Sequence, residues 1–234
     1  MAIDTLLFDV QGTLLDFFTP VHNEVSHYLV SNGIPASTAA EVTRTWRQLY
    51  FKHVGDIQNP SQKWTRVQQV YETTFTPALR AHGLPPATAE TARDVSRCWT
   101  RLVPWPDVSH GLADLRSNAT IATLSNTDMS TMVQLFKTLG IDWDAIFTAE
   151  LFGAFKPEPA VYLGALRFLG ARPENTAMVA SHAYDLRAAR ELGLTTVYVH
   201  RPLEHGAPEF AENGSNDAFD HYVSEVGDIV ELLR

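Results

Sequence analysis

Short apolar runs and long amphipathic ones divide the chain into two textures. Residues 5–10, "TLLFDV", are apolar except for one carboxylate and run almost at once into a glycine, the pattern of a buried strand that ends in a turn. From about Phe17 to about Thr100 the apolar positions recur at helical spacing in "PVHNEVSHYLVSNG", "TAAEVTRTWRQLYFKHV", "KWTRVQQVYETTFTPALRAHG" and "TAETARDVSRCWTRL", so helix is expected to follow helix. After "VPWPDV", a proline-marked joint, strand and helix patterns alternate. They run "ATIATLSN", "DMSTMVQLFKTLG", "DAIFTAE", "EPAVYLGALRFLG", "NTAMVAS", "YDLRAARELG", "TTVYVHR" and a closing "HYVSEVGDIVELLR". Alternation of this kind marks a parallel sheet covered by helices on both faces. The pattern predicts an α/β fold: a doubly wound core of residues 1–16 and 101–234, interrupted after its first strand by a helical cap of residues 17–100. There is no internal repeat or low-complexity tract, and "EFAENGSNDAFD" reads as a surface loop.

Composition narrows the partners. A chain of 234 residues that is 45% hydrophobic and 19% charged belongs with globular proteins and is long enough for a large core, alone or with an inserted module. With 27 acidic against 18 basic residues, a net charge of -9 and no basic tract, it lacks the electrostatic footprint of a nucleic-acid partner. A small anion can still bind where a few cations are concentrated. Cys98 is the single cysteine, so neither a disulfide nor a thiolate metal site can form within one chain, which suits a reducing cytosol. "MAIDTLLFDV" has no basic start and no cleavage pattern, and no apolar stretch reaches the ~18 to 20 residues of a membrane span. A cytoplasmic location without membrane partners is expected.

Ligands of open α/β sheets bind at the carboxyl ends of the strands. Asp9, Ser125, Glu150 and the "ASH" of residues 180–182 all fall at expected strand ends, so a site is expected there, roofed by the helical insertion. Asp9, followed at once by a Gly-Thr turn, reads either as a nucleophile held at a sheet edge or as a carboxylate that caps the turn before Thr13. The residue two places on, Gln11, cannot serve as a general acid, because an amide does not titrate near neutral pH.

In order along the chain, "FDVQGTLLD", "LSNTD", "KPEPAVY" and "VASHAYD" resemble the four motifs of the haloacid dehalogenase superfamily. The resemblance implies a Rossmann-like core with an inserted helical cap, and Asp9 as a nucleophile that forms an aspartyl ester. Most members are magnesium-dependent phosphatases with an acidic residue where Gln11 stands and a metal-binding aspartate where Ser181 stands. Magnesium prefers hard, anionic oxygens, and only Asp9 and Asp185 remain to supply them. The combination resembles instead the L-2-haloacid dehalogenase (type II) branch, which uses neither metal nor cofactor and acts on a short 2-haloalkanoic acid. Tyr162 six residues after Lys156, "PWPDV" at the return to the core, and "TWRQLY", which would supply a halide-binding Arg47, are similar to that branch. Gln11, Ala180, His182 and Tyr184 depart from its usual pattern, and a histidine in the fourth motif resembles a sub-branch that includes enzymes of fluorinated acids. The partner implied is a small carboxylate, and a homodimer is left open.

Each candidate has two readings. Thr13, Ser125 and Asn126 would bind Asp9 or a substrate carboxylate, or simply build the turn that starts a helix. Lys156 would keep Asp9 ionised, or be a solvated loop residue. Asp185 would orient Lys156 or activate water, or only favour a helix dipole. His182 would accept a proton from the hydrolytic water when neutral, hold a halide when charged, or be structural. Arg47 would enter a partly dry pocket or lie in solvent. Among the aromatics, Tyr162 and Phe17 are expected to line a small substrate pocket, where core packing is the other use. Competing functions are the opening of the strained ring of L-azetidine-2-carboxylate, with Gln11 bonding the amine, a metal-dependent phosphatase, and a non-catalytic binding protein.

Overall fold

The computed structural model describes residues 2–57, 64–212, 214 and 217–233. Lys63, where the third helical stretch was expected to begin, and Asn213, Ser215 and Asn216 of the expected loop lie outside the described residues. By its contacts the chain divides into one unit of Met1–Asp16 and Val103–Arg234 and a second of Phe17–Leu102.

In the first unit, strands β1 (Thr5–Phe8) and β2 (Leu15–Asp16) open the chain. The helical unit follows, with α1 (Phe18–Ser31), α2 (Ala39–Ile57), α3 (Val67–Ala81) and α4 (Ala89–Ser96). The return to the first unit gives β3 (Val103–Pro104), α5 (Val108–Arg116), β4 (Thr120–Ser125), α6 (Met129–Leu139) and β5 (Ala145–Thr148). It ends with α7 (Pro159–Leu169), β6 (Thr176–Ala180), α8 (Ala183–Glu191), β7 (Thr195–Val199) and β8 (His221–Val223). The main sheet has the order β5-β4-β1-β6-β7-β8, and every pairing in it is parallel. Strand β1 therefore lies inside the sheet, with Phe8 level with Thr123 on one side and Val179 on the other. Helix α5 is an element the sequence pattern does not announce, because "DVSHGLADLRSN" is short and opens beside the prolines of the joint.

Strand periodicity explains the layering. Leu7, Ala122, Leu124, Met178 and Ala180 face one side of the sheet and pack with Val161, Tyr162, Ala165 and Leu166 of α7 and Ala183, Leu186 and Ala189 of α8. The alternate residue Phe8 turns to the other side, where its ring meets Trp143 edge-on at 5.7 Å, and Trp143 meets Phe136 of α6. Both faces are thus covered, as all-parallel sheets require. Leu7 is fully buried, and shortening such a residue to alanine costs about 2–5 kcal/mol.

The helical unit buries its own stripes: Val21, Val25 and Leu29 on α1, Val42, Trp46, Tyr50 and Val54 on α2, and Val70, Tyr71, Phe75 and Leu79 on α3. Tyr71 stacks on Trp99 with ring centroids 3.9 Å apart, and Trp46 donates its indole N–H to the Tyr71 carbonyl at 3.0 Å. Among the described residues no helix is long and apolar enough to cross a membrane.

Candidate active site

The turn after β1 is fastened on several sides. Asp9 directly follows the strand, and its N–H donates to the Val179 carbonyl at 3.0 Å. Gly12 has φ +92, a conformation that side-chain-bearing residues rarely adopt. Trp105 donates to the Gly12 carbonyl at 2.8 Å, and Arg201 Nε donates to the Thr13 carbonyl at 2.8 Å. Arg201 is itself gripped by both oxygens of Asp107, at 2.8 and 2.9 Å, and Asp107 also accepts the Val226 N–H at 2.9 Å. A buried bidentate pair of this kind fixes geometry as well as charge.

Two cations and a hydroxyl converge on Asp9. Its Oδ1 accepts from Lys156 Nζ at 3.0 Å, while Oδ2 accepts from Thr13 Oγ1 at 2.8 Å and lies 3.0 Å from His182 Nδ1. Lys156 also donates to Asp185 Oδ2, whose other oxygen accepts from the Tyr162 hydroxyl at 2.5 Å. Burial alone would push the Asp9 carboxyl up. The Lys156 charge, the bond and charge of His182 and the Thr13 bond outweigh burial and hold it well below the usual carboxylate range. For Lys156, burial opposes the charge, but the charges of Asp185 and Asp9 raise its pKa. Burial raises the pKa of Asp185, Lys156 opposes this and the charge of Asp9 adds to it, so of the two carboxyls on Lys156 Asp9 is the more firmly ionised.

His182 lies between two carboxylates. Nε2 is 2.7 Å from Glu204 Oε1, opposite the contact of Nδ1 with Asp9, and Glu204 Oε2 accepts from Ser181 Oγ at 3.3 Å. Ionised carboxylates only accept, so between two of them both ring nitrogens act as donors, which favours the imidazolium. Burial pushes its pKa down, but the charge of Glu204, the bonds to Asp9 and Glu204 and the charge of Asp9 carry it up to about 10. Both nitrogens are thus engaged with carboxylates, an arrangement different from the expected neutral proton acceptor or halide-binding cation.

The other expected residues are placed as follows. Ser125 donates to Thr127 Oγ1 at 3.0 Å and accepts the Thr127 N–H at 3.2 Å, which is the turn-building use. Asn126 accepts the Lys156 N–H at 2.8 Å and donates to the Lys156 carbonyl at 3.3 Å, so it positions the lysine from across the sheet edge. Tyr162, expected to line a substrate pocket, is fully buried with its hydroxyl on Asp185. Gln11 is buried in the turn. Glu150 accepts the Met129 N–H at 2.8 Å and so caps α6. In the helical unit Arg47 is 3% exposed, with its guanidinium 4.6 to 4.9 Å from the ring centres of Phe51, Phe17 and Tyr50. Its Nη1 donates to the Tyr71 hydroxyl at 2.7 Å, so Phe17 is one wall of a box around Arg47.

Glu204 is the residue that sequence reasoning misses. It lies in the connection between β7 and β8, is 1% exposed, and reaches over Gly12 so closely that a Cβ there would meet Oε1 at 2.3 Å. The available signal was an acidic residue shortly after a strand at the carboxyl edge of the sheet. The donor set does not fit a divalent cation. Gln11 and Ser181 bring no charge where anionic oxygens would be needed, two cations already face Asp9, and among the described residues no group of three or more His, Cys, Asp or Glu side chains is arranged to hold a metal ion.

Residues 3–193 match the family model described as haloacid dehalogenase-like hydrolase. The chain is 28% identical to (S)-2-haloacid dehalogenase 4A of Burkholderia cepacia, over 99% of this chain and 95% of that protein. It superimposes on the defluorinating L-2-haloacid dehalogenase Rha0230 with a TM-score of 0.88 and 28% identity, covering 99% of this chain and 95% of the other. For the L-2-haloacid dehalogenase PA0810 the TM-score is 0.84 and the identity 32%, over 99% and 100% of the two chains. With the matched profile spanning most of its length, the chain belongs to the haloacid dehalogenase-like hydrolase family.

Proposed function

We propose that the protein hydrolyses short 2-haloalkanoic acids without a metal, through an ester on Asp9. In this reading a carboxylate oxygen of Asp9 attacks the carbon alpha to the substrate carboxylate from the rear, and the halide departs with the bonding pair. Water then attacks the side-chain carbon of the ester, and a 2-hydroxy acid leaves with an inverted centre. Covalent catalysis splits one difficult displacement into two easier steps. The observation that carries the reading is the pairing of Asp9 with Lys156 and His182, two protein cations that keep a buried carboxylate ionised without a divalent ion. The absence of a carboxylic acid at Gln11 supports a leaving group that departs without a proton, as halides do. Lys156 fixes the nucleophile, Asp185 and Tyr162 fix Lys156, and Thr13 and His182 hold the second oxygen.

The test is turnover in EDTA of L-2-chloropropionate, fluoroacetate and L-azetidine-2-carboxylate, with free halide and new amine read separately. Halide release, with one heavy oxygen from labelled water incorporated into Asp9, is expected. Amine without halide would move the assignment to ring opening, and turnover of an aryl phosphate only with magnesium would move it to phosphoryl transfer.

A further inference from the structure

Asp9 offers its two oxygens unequally. Among the described residues, Oδ2 takes two donors, Thr13 Oγ1 and His182 Nδ1, whereas Oδ1 takes only Lys156. Each carboxylate oxygen has two lone-pair directions, so Oδ1 keeps one open for attack on carbon and Oδ2 has none to spare. Attack by Oδ1 makes Oδ2 the carbonyl oxygen of the ester, already under two donors. Hydrolysis puts negative charge on that same oxygen. The halide is not the target of His182: it leaves on the side of the carbon remote from Asp9, whereas Nδ1 lies against Asp9 itself.

We propose that Glu204 is a positioning residue: by accepting from Nε2 of His182 it directs the Nδ1–H onto Asp9 Oδ2, where with Thr13 it forms a two-donor oxyanion hole for hydrolysis of the aspartyl ester. The inference rests on the ester reading above. In the second step the water oxygen bonds to the Asp9 side-chain carbon, and the carbonyl pair moves onto Oδ2. The pair returns as the bond from that carbon to Oδ1 breaks. Oδ1 leaves as the product hydroxyl with one proton of the water. The other proton goes to solvent, because Asp9 beside Lys156 and His182 returns as a carboxylate.

Three further features support the assignment. Glu204 is buried, Ser181 donates to its second oxygen, and Gly12 leaves the space into which Oε1 fits. Ser181 also ties the two donors together, since its N–H donates to Thr13 Oγ1 at 2.9 Å. Among the described residues, charged groups facing His182 include Asp9 and Glu204, with Lys156 and Asp185 beyond Asp9 and His205 3.9 Å from Glu204.

The test uses L-2-chloropropionate with the intact wild-type protein and the near-isosteric Glu204→Gln. Glu204→Gln should slow ester hydrolysis about 10–100-fold, short of the loss from deleting a donor outright. It should slow halide release in the first turnover less, so that the ester accumulates by intact mass. Its hydrolysis rate should also fall at a lower pH on the alkaline side than that of the wild type, because His182 without Glu204 gives up its second proton earlier. Nitrogen-15 spectra of the imidazole, assigned with His182→Gln, give a readout independent of turnover: both ring nitrogens protonated at about pH 8 in the wild type. Unchanged hydrolysis and pH limb in Glu204→Gln would overturn the inference alone, as would a neutral His182 or a hydrolysis rate that rises with pH. A wild type that forms no ester would overturn the ester reading with it.

Discussion

Lys156→Met separates the charge of the lysine from its bulk. Lys156 is 1% exposed, and its ammonium donates to Asp9 at 3.0 Å and also to Asp185. Methionine keeps much of the stem and leaves two buried carboxylates without their shared cation. Removing one partner of a buried pair costs about 3–5 kcal/mol. At an m value of about 2–3 kcal/mol/M in urea, that lowers the unfolding midpoint by about 1–2.5 M. The pH dependence fixes the cause. In the wild type, the Asp9 carboxyl is held below its ordinary 3.8, so its contribution is present above that pH and lost as pH falls through the depressed folded value. In the variant, Asp9 keeps His182 and Thr13, whereas Asp185 loses the cation that opposed burial and the charge of Asp9, so its carboxyl rises further and the folded variant holds protons that the unfolded chain releases. Its relative stability is then best in acid and declines as pH rises through the raised value. The gap between wild type and variant should therefore narrow from about pH 8 to about pH 5, and Asp185→Asn in the Lys156→Met background should recover part of it. Urea titrations followed by tryptophan fluorescence measure both. An equal gap at the two pH values, together with no recovery, would refute the electrostatic account.

Asp9→Asn should abolish halide release while leaving the circular dichroism of the fold intact, and residual turnover with halide release would remove Asp9 as the nucleophile. Gly12→Ala combines a left-handed φ with a 2.3 Å approach to Glu204, so a loss of about 1–3 kcal/mol in urea stability is expected, accompanied by slower ester hydrolysis. Arg47→Lys loses the planar contact with Phe17, Tyr50 and Phe51 and should lower stability by about 0.5–2 kcal/mol, read as a fall in thermal midpoint. His182→Asn keeps a neutral donor but loses the cation, and it should slow hydrolysis of the ester more than its formation, as followed by intact mass.

What the sequence disclosed follows from where the information is local. Alternating strand and helix patterns define the parallel sheet, and Asp9, Ser125 and His182 announce themselves because each stands at or just past the end of an apolar run. Partnership is less legible than position. Ser125 spends its hydroxyl on Thr127, two residues away, and Tyr162 spends its on Asp185 in the next helix. Neither choice is written in spacing. Glu204 escapes notice because its meaning comes from His182, 22 residues earlier, and from the absence of a side chain at Gly12. The charge state of His182 is equally hidden, since one of the two carboxylates that set it is Glu204.

The grip of Arg201 and Glu204 on the turn after β1 bears on how this protein can be altered. The stretch from residue 200 to residue 206 looks like ordinary surface connection, the natural place to splice a tag or shuffle segments between relatives. Through Thr13 and His182 it is part of the floor on which Asp9 rests. Chimeras that exchange the opening turn without this stretch should fold and yet stall, whereas those that exchange both together should keep working.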